Sequence, residues 1–129
     1  LEKVESSKDK IAIKPKDWTF VNFNGKTKFH ADKEAHNMWT CVLRVWFPKS
    51  NMPTTVRTRF VRYPGTAKHD ETGHTSHPIM PSWAGRSEHL HFSHEFLSGP
   101  KMAVGVWIWH DGASPIVLDG RQVKANPLR

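Results

Sequence analysis

The chain of 129 residues carries a formal net charge of +7 at pH 7, with a sequence pI near 9.8 and nine histidines. This length fits one domain with its own hydrophobic core, and the single cysteine, Cys41, excludes an intrachain disulfide. No apolar run reaches the roughly 18 residues that a transmembrane helix requires, and the charged start is unlike a secretory signal. The excess of positive charge favours an anionic partner, such as nucleic acid, a membrane surface or an acidic cell-wall polymer.

Residues 1–16 are rich in Lys, Glu and Ser and carry little apolar pattern before Ile11 and Ile13. This composition predicts a linker or N-terminal extension that leads into a first strand. A single binding domain is expected over residues 17–129. Because the chain begins at Leu1 and not at a methionine, we also expect it to be one domain of a longer protein.

Alternation of apolar and polar residues, which is typical of strands with one buried face, starts after this extension. Asn24-Gly25 lies between residues 18–23 and 26–29 and predicts a two-residue hairpin turn. Residues 30–37 are suited to a short helical turn. Residues 38–47 give the clearest strand, whose predicted core row is Trp39, Cys41, Leu43, Val45 and Phe47.

Two further strands are predicted at residues 54–63 and 88–97, with a long irregular segment between them at residues 64–86. Connections of that length are often functional. The first of these strands places Arg57 and Arg59 outward, and the adjacent apolar residues Phe60 and Val61 suggest a bulge or a change of face. The predicted inward residues of the two strands are Val56, Thr58, Phe60, Leu90, Phe92 and Phe96.

The segment 101–112 has two chemically unlike faces. One face is an apolar row, whereas Trp107 and Trp109 share the other face with Ala103 and Gly105, where open backbone could accept a flat ligand. The alternative is that both indoles are simply buried, as tryptophan often is. The predicted core row of this segment is Met102, Val104, Val106 and Ile108.

Asp119-Gly120 predicts a last hairpin between residues 116–118 and 121–124. The sequence thus shows seven or eight short strands and no long helical period. This pattern predicts an all-β fold, an antiparallel β-sandwich or jelly roll with at most one short helix.

The sequence contains no recognisable catalytic motif. The acidic residues are scattered, and there is no nucleophile elbow, glycine-rich phosphate loop or His-Glu-x-x-His run. Cys41 lies in a predicted core row, a poor place for a nucleophile. We therefore expect a non-catalytic domain that has no catalytic residues, metal or cofactor.

Metal chemistry is the main alternative. His89 and His91 share one face of a predicted strand, as zinc ligands on sheets often do, and a loop histidine could supply a third ligand. The alternative function is accordingly a metal-dependent enzyme that uses His89 and His91. The candidates for the third ligand are His74, His77 and His110; His94 is expected to face the core as a hydrogen-bonded structural histidine.

The outward rows of four strands would form one surface of indoles, guanidiniums and imidazoles if these strands share a sheet. Such a surface suits sugars, because indole faces stack on the C–H side of a pyranose and arginine forks bind hydroxyls, carboxylates and phosphates. The alternative is that the arginines only keep an exposed face soluble. The predicted glycan-binding residues are Trp107, Trp109, Trp46, Arg44, Arg57, Arg59, His89 and His91.

Single-stranded nucleic acid would use a similar mixture of stacking and positive charge. The lysines, however, concentrate near the N-terminus, and no nucleic-acid-binding signature is present. We therefore expect no specific nucleic-acid partner. We also expect no membrane partner, because no segment has the pattern of a membrane-surface helix.

Two runs of the chain resemble a known family: Arg57-Thr-Arg-Phe-Val-Arg-Tyr-Pro64 and Gly105-Val-Trp-Ile-Trp-His-Asp-Gly-Ala-Ser-Pro-Ile-Val-Leu-Asp-Gly-Arg-Gln-Val-Lys124. They resemble the C-terminal cell-wall-binding domains of mycobacteriophage endolysins, the lysin A proteins. The resemblance implies that upstream catalytic domains cut peptidoglycan while this domain anchors them to the wall. It provides no binding motif, so the candidate residues above come from the strand faces alone.

The resemblance also implies partners and a location. The expected ligand is a bacterial cell-wall glycan, peptidoglycan or arabinogalactan, bound by a domain that is a monomer in isolation. The expected location is the host cytoplasm before lysis and then the bacterial cell wall. A carbohydrate-binding domain of a phage tail is an alternative that would share this architecture and target.

Overall fold

The computed structural model describes residues 4, 9–23, 35–99 and 102–128 of the chain. These residues form eight strands and one 3₁₀ turn at Pro81–Trp83, which confirms the predicted all-β class. The strands are β1 (Ile11–Ile13), β2 (Thr19–Asn22), β3 (Ala35–Trp46), β4 (Thr55–Arg62), β5 (Asp70–Pro78), β6 (Ser87–Ser98), β7 (Val104–His110) and β8 (Ile116–Pro127).

The strands form two four-stranded antiparallel sheets that pack face to face. Sheet A has the order β1-β8-β3-β6, and sheet B has the order β2-β7-β4-β5. The pairing is nested, since the first strand pairs with the last, the second with the seventh, the third with the sixth and the fourth with the fifth. This is the connectivity of a jelly roll.

The core between the sheets comes from alternate residues of each strand, as the sequence predicts. The β3 row from Trp39 to Val45 is at most 1% exposed, and the inward residues of β4, β6 and β7 are also buried. The Trp39 ring stacks on Phe96 at 5.3 Å between centroids, and its indole N–H donates to Ser98 Oγ at 2.7 Å. Trp39 is thereby buried with its one polar group satisfied.

The prediction that residues 64–86 form one irregular segment is wrong, because β5 lies within it. Its sequence, Asp-Glu-Thr-Gly-His-Thr-Ser-His-Pro, lacks an apolar alternation because β5 is an edge strand in which only His77 is buried. The register between β4 and β5 shifts between Thr58 and Phe60, where two β5 residues oppose Arg59. The bulge therefore lies on β5, beside the predicted position.

The prediction of a hairpin turn at Asp119-Gly120 is also wrong. β8 runs without interruption through this dipeptide, and its register with β3 shifts between Arg44 and Val45. Asp119 lies at this irregularity, 6% exposed, where its Oδ2 is 2.9 Å from Arg44 Nη1. The dipeptide produces a bulge in a continuous strand.

The structure describes only part of the N-terminal region. Ile11–Ile13, which belong to the predicted extension, pair with β8, and Ile13 is fully buried. The predicted hairpin at Asn24-Gly25 lies outside the described residues, as do residues 30–34 of the predicted helical turn; residues 35–37 of that turn are part of β3 instead. The described part of the chain includes no helix with the length and apolar character needed to cross a bilayer.

Candidate functional site

The eight predicted glycan-binding residues lie on two opposite surfaces, so the prediction of a single shared surface is wrong. The reason is the strand pairing: β4 pairs with β7 in sheet B, whereas β3 pairs with β6 in sheet A. Arg57, Arg59, Trp107 and Trp109 lie on the outer face of sheet B. Arg44, Trp46, His89 and His91 lie on the outer face of sheet A.

The sheet B residues meet as direct cross-strand neighbours. The register pairs Arg57 with Trp109 and Arg59 with Trp107. β2 adds two more aromatic residues to the same surface, because Phe20 pairs with Trp107 and Trp18 comes one position before Thr19, which pairs with Ile108. We call this surface the Trp–Arg face; it consists of Trp18, Phe20, Arg57, Arg59, Trp107 and Trp109.

Two guanidinium–indole pairs lie side by side on the Trp–Arg face. Arg59 Cζ lies 4.0 Å from the Trp18 ring centroid, and Arg57 Cζ lies 4.8 Å from that of Trp109. The two indoles are 6.4 Å apart and tilted by 36°. Cation–π contacts of this kind hold the guanidinium planes in place.

The two arginines differ in their charge environment. Arg59 Nη1 is 2.7 Å from Glu71 Oε1, and His69 Nε2 is 3.3 Å from the other oxygen of the same carboxylate. Arg57 has no acidic partner among the described residues and is exposed. The positive charge that the Trp–Arg face offers to a ligand is therefore centred on Arg57.

A groove of about 280 Å³ runs beside these side chains. It is lined by Trp18, by the β4 residues Arg57, Thr58 and Arg59, and by residues of the adjacent strand β5. β5 contributes imidazole and hydroxyl groups to the groove, which can donate or accept hydrogen bonds. The β5 residues that line it are His74, Thr75 and Ser76.

The expectation of open backbone beside the tryptophans is wrong. Gly105 is buried, and a Cβ atom built on it would lie 2.5 Å from Cε1 and Cζ of Phe20 and 2.9 Å from the carbonyl oxygen of Val21. The Phe20 ring thus covers the glycine, and it also meets Trp107 edge-on at 5.4 Å. The available surface is the groove on the β4–β5 side and not the backbone of β7.

Trp107 and Arg59 each carry a buried hydrogen-bond donor without a partner. These atoms are Trp107 Nε1 and Arg59 Nε, and the two residues face each other across β7 and β4. A buried donor without an acceptor costs roughly 1–3 kcal/mol. On the Trp–Arg face, the two described atoms that lack a hydrogen-bond partner are therefore both donors, which require an acceptor such as an oxygen atom.

The outer face of sheet A has a different character. Arg44 is ion-paired to Asp119, which also accepts a hydrogen bond from Ser87 Oγ at 3.1 Å. His89 Nε2 lies 3.2 Å from both the backbone nitrogen and the backbone oxygen of Val4. Arg44 and His89 thus make polar contacts with other residues of the chain, whereas Trp46 is 37% exposed.

The described residues do not provide the ligand set that the metal-enzyme alternative needs. His89 and His91 share a face as predicted, but His74 lies at the groove of sheet B. Within the described ranges, no group of three His, Cys, Asp or Glu side chains is arranged to hold a metal ion. His94 is a structural histidine, as predicted, with Nε2 3.1 Å from Thr72 Oγ1.

The other two candidate ligands are buried structural groups. His77 Nε2 is 2.9 Å from Thr58 Oγ1, and burial lowers the pKa of its imidazole. His110 Nε2 donates to the carbonyl oxygen of Ile13 at 2.9 Å, while its Nδ1 accepts from the Gly112 N–H at 3.1 Å. Burial lowers the pKa of His110 as well, although the Ile13 carbonyl and Asp111 act in the opposite direction.

Cys41 is fully buried in the core row of β3, and this burial raises the pKa of its thiol. A neutral, inaccessible thiol is not a nucleophile. Its position agrees with the sequence-based interpretation of Cys41 as a core residue.

Five residues of the Trp–Arg face and of the β5 side of its groove were not predicted to bind glycan: Trp18, Phe20, His74, Thr75 and Ser76. The alternation of Trp18 and Phe20 with buried Val21 is a signal that both aromatic residues point away from the core. No local signal identifies the partner of β2 as β7, since these strands are far apart in the chain. His74 and Ser76 lie in a strand that the sequence did not reveal.

Comparison with protein-family models gives no match to this chain, and comparison with curated proteins gives none either. The geometry of the Trp–Arg face and its groove is consequently the basis for proposing a function.

Proposed function

We propose that this domain is a non-catalytic module that binds a bacterial cell-wall glycan, peptidoglycan or an associated polysaccharide, through the Trp–Arg face. The observation that carries the proposal is the two neighbouring cation–π pairs, Arg59 on Trp18 and Arg57 on Trp109, beside a groove lined with hydroxyl and imidazole groups. Sugars combine apolar C–H faces with dense hydroxyl groups. Indole rings can stack on the C–H faces, and hydrogen-bond donors held in place can bind the hydroxyl groups.

Each part of the face has a distinct role in the proposal. Trp18 and Trp109 supply ring surface for a pyranose. Arg57 donates hydrogen bonds from a position over the Trp109 ring, and His74 and Ser76 contact hydroxyl groups from the adjacent strand β5. Jelly rolls also occur in lectins and viral proteins, which is support by fold analogy only.

On the resemblance to lysin A proteins, we further propose that this module belongs to a phage endolysin, where it would anchor catalytic domains to the wall. Within that proposal, the domain is a monomer, resides in the host cytoplasm before lysis and then binds the wall. The outer face of sheet A takes no part in glycan binding.

The test is sedimentation with purified bacterial walls. Trp109→Ala should weaken binding by about 1–3 kcal/mol, if the stacking scale measured for nucleic-acid bases applies to sugars. Trp46→Ala is the matched control, because it removes an exposed indole from the opposite sheet. It should bind walls like the wild type.

Thermal unfolding of both variants separates lost binding from lost folding. Equal wall binding by folded Trp109→Ala and the wild type would contradict the Trp–Arg face as the site. Loss of binding in Trp46→Ala would place the site on sheet A instead. Absence of wild-type binding to every wall would overturn the proposed function.

A further inference from the structure

We infer that the groove binds an oxyanion of the cell-wall polymer, a carboxylate or a phosphate, and that Arg57 is the residue that recognises it. This inference rests on the proposed function and narrows its ligand to an anionic glycan. It follows from three features of the Trp–Arg face: its charge balance, the orientation of Arg57 and the hydrogen-bond donors that lack partners.

The charge balance singles out Arg57. On sheet B, Glu71 neutralises Arg59 and Asp70 neutralises Arg62, where two guanidinium nitrogens meet the two carboxylate oxygens. Among the described residues, no carboxylate pairs with Arg57. At the groove, Arg57 is thus the arginine whose charge is not neutralised by a described carboxylate, whereas Arg59 and Arg62 are each paired with one.

The orientation of Arg57 suits an anion with two oxygens. Its guanidinium lies over the Trp109 ring, so the plane is held on one side by the indole. The edge of a guanidinium carries parallel N–H groups that match the two oxygens of a carboxylate or phosphate. Stacking also limits the side-chain freedom that would be lost when the anion binds.

The donors that lack partners indicate the same ligand chemistry. Arg59 Nε and Trp107 Nε1 are donors. On sheet A, by contrast, the described atoms without a partner include two acceptors, on Asn37 and Asp119, as well as the donor Arg121 Nε. Every unmet hydrogen-bonding group described on sheet B therefore requires an acceptor. A ligand rich in anionic oxygens provides acceptors and no competing positive charge.

Nucleic acid is a weaker fit than a glycan. A guanidinium covers one face of each indole, Arg59 on Trp18 and Arg57 on Trp109. Stacking of successive bases requires several open ring faces in series, whereas one pyranose requires a single ring face. The two indoles are also tilted by 36° relative to each other. A polymer that places one anionic group in the groove and a sugar ring beside Trp18 fits this geometry better.

The experiment measures sedimentation of the purified chain with three wall preparations. The first is untreated, the second has its carboxylates amidated with carbodiimide and ethanolamine, and the third has been stripped of phosphodiester-linked polymers with hydrofluoric acid. The variants are Arg57→Gln, Arg57→Lys and Arg86→Gln. The last is the matched control, because Arg86 is an exposed arginine paired to Glu88 and its loss lowers the net charge equally.

Arg57→Gln should weaken binding to untreated walls about tenfold or more, the range expected for a charge-assisted hydrogen bond. Arg57→Lys should recover only part of this loss, and Arg86→Gln should bind like the wild type. The wild type should lose a similar factor on the amidated walls if the anion is a carboxylate, or on the stripped walls if it is a phosphate. Arg57→Gln should be insensitive to that same treatment.

Two results would overturn the inference and leave the proposed function intact. One is unchanged wall binding by folded Arg57→Gln, and the other is wild-type binding that survives both treatments while still depending on Trp109. Competition by single-stranded DNA at concentrations where wall fragments do not compete would assign the groove to nucleic acid. Failure of the wild type to bind any wall would overturn both proposals.

Discussion

Phe20 and Gly105 form a contact that depends on the absence of a side chain. The Phe20 ring lies over the glycine and makes an edge-on contact with the Trp107 ring. The aromatic end of the Trp–Arg face is thus built on a residue that contributes no side-chain atom itself. This dependence can be tested by a single added methyl group.

Gly105→Ala should destabilise the fold by about 1–3 kcal/mol, the usual range for an overpacked site. The added Cβ would meet both the movable Phe20 ring and the fixed Val21 carbonyl oxygen. Urea unfolding measures the loss. Phe20→Ala should relieve part of the clash, so the double variant should lose less stability than the sum of the two single changes; strict additivity would show that the ring does not pack on the glycine.

Two buried histidines make the folded state sensitive to acid. The pKa values of His77 and His110 lie below the ordinary value of 6.5 because both imidazoles are buried. The unfolded chain takes up these protons as the pH falls below 6.5, whereas the folded chain resists them. Their contribution to stability is therefore complete above pH 6.5 and decreases below it.

The free energy of unfolding should fall between pH 6.5 and pH 5, by no more than about 1.4 kcal/mol per pH unit for each histidine. Asp70 and Asp111 do not interfere in this window, because their pKa values are lowered from 3.8. Urea titrations at several pH values measure the slope. His110→Gln should have a shallower slope than the wild type, and equal slopes would contradict the assignment.

Strands differ in how well the sequence reveals them. β3 is evident from its alternation, because it is central in sheet A and buries one complete row between the sheets. β5 is not evident, because an edge strand with a polar composition gives no periodic signal. The same contrast should appear in local stability, since within the described part of the chain β3 is paired on both sides and β5 only with β4.

Hydrogen exchange should show the slowest backbone amides in β3 and markedly faster exchange in β5, because opening of an edge strand disrupts fewer contacts. Mass spectrometry of exchanged peptides resolves residues 35–46 from residues 70–78. Equal protection of the two segments would mean that the molecule opens only globally. Faster exchange in β3 than in β5 would contradict the strand order.

The fold class could be predicted from the sequence, but only about half of the residues in the candidate site could. Outward positions such as Arg57 and Trp109 were predicted correctly because alternation assigns each residue to a face of its own strand. Which strands are neighbours depends on pairings between distant segments, such as β2 with β7, and alternation carries no information about them. For this reason Trp46 was grouped with Trp109, although the two lie on opposite sheets.

The net charge of +7 raises the question of whether wall binding is only general attraction. A site based on stacking and short hydrogen bonds is less sensitive to salt than an exposed positive surface, because screening acts over about 10 Å at 0.1 M salt. Wall binding should therefore weaken but persist as salt rises from 0.05 to about 0.5 M. Sedimentation at several salt concentrations measures this, and complete loss at moderate salt would favour nonspecific attraction.

The nested strand pairing has a consequence for how the chain is made. His110 Nε2 and the Ile13 carbonyl oxygen are 97 positions apart, and β8 pairs with both β1 and β3. During synthesis, β6 becomes available to pair with β3 before β8 (Ile116–Pro127) has been made. Sheet A can therefore be completed only after β8 has been synthesised, and contacts this remote in sequence are typical of domains that fold in milliseconds to seconds.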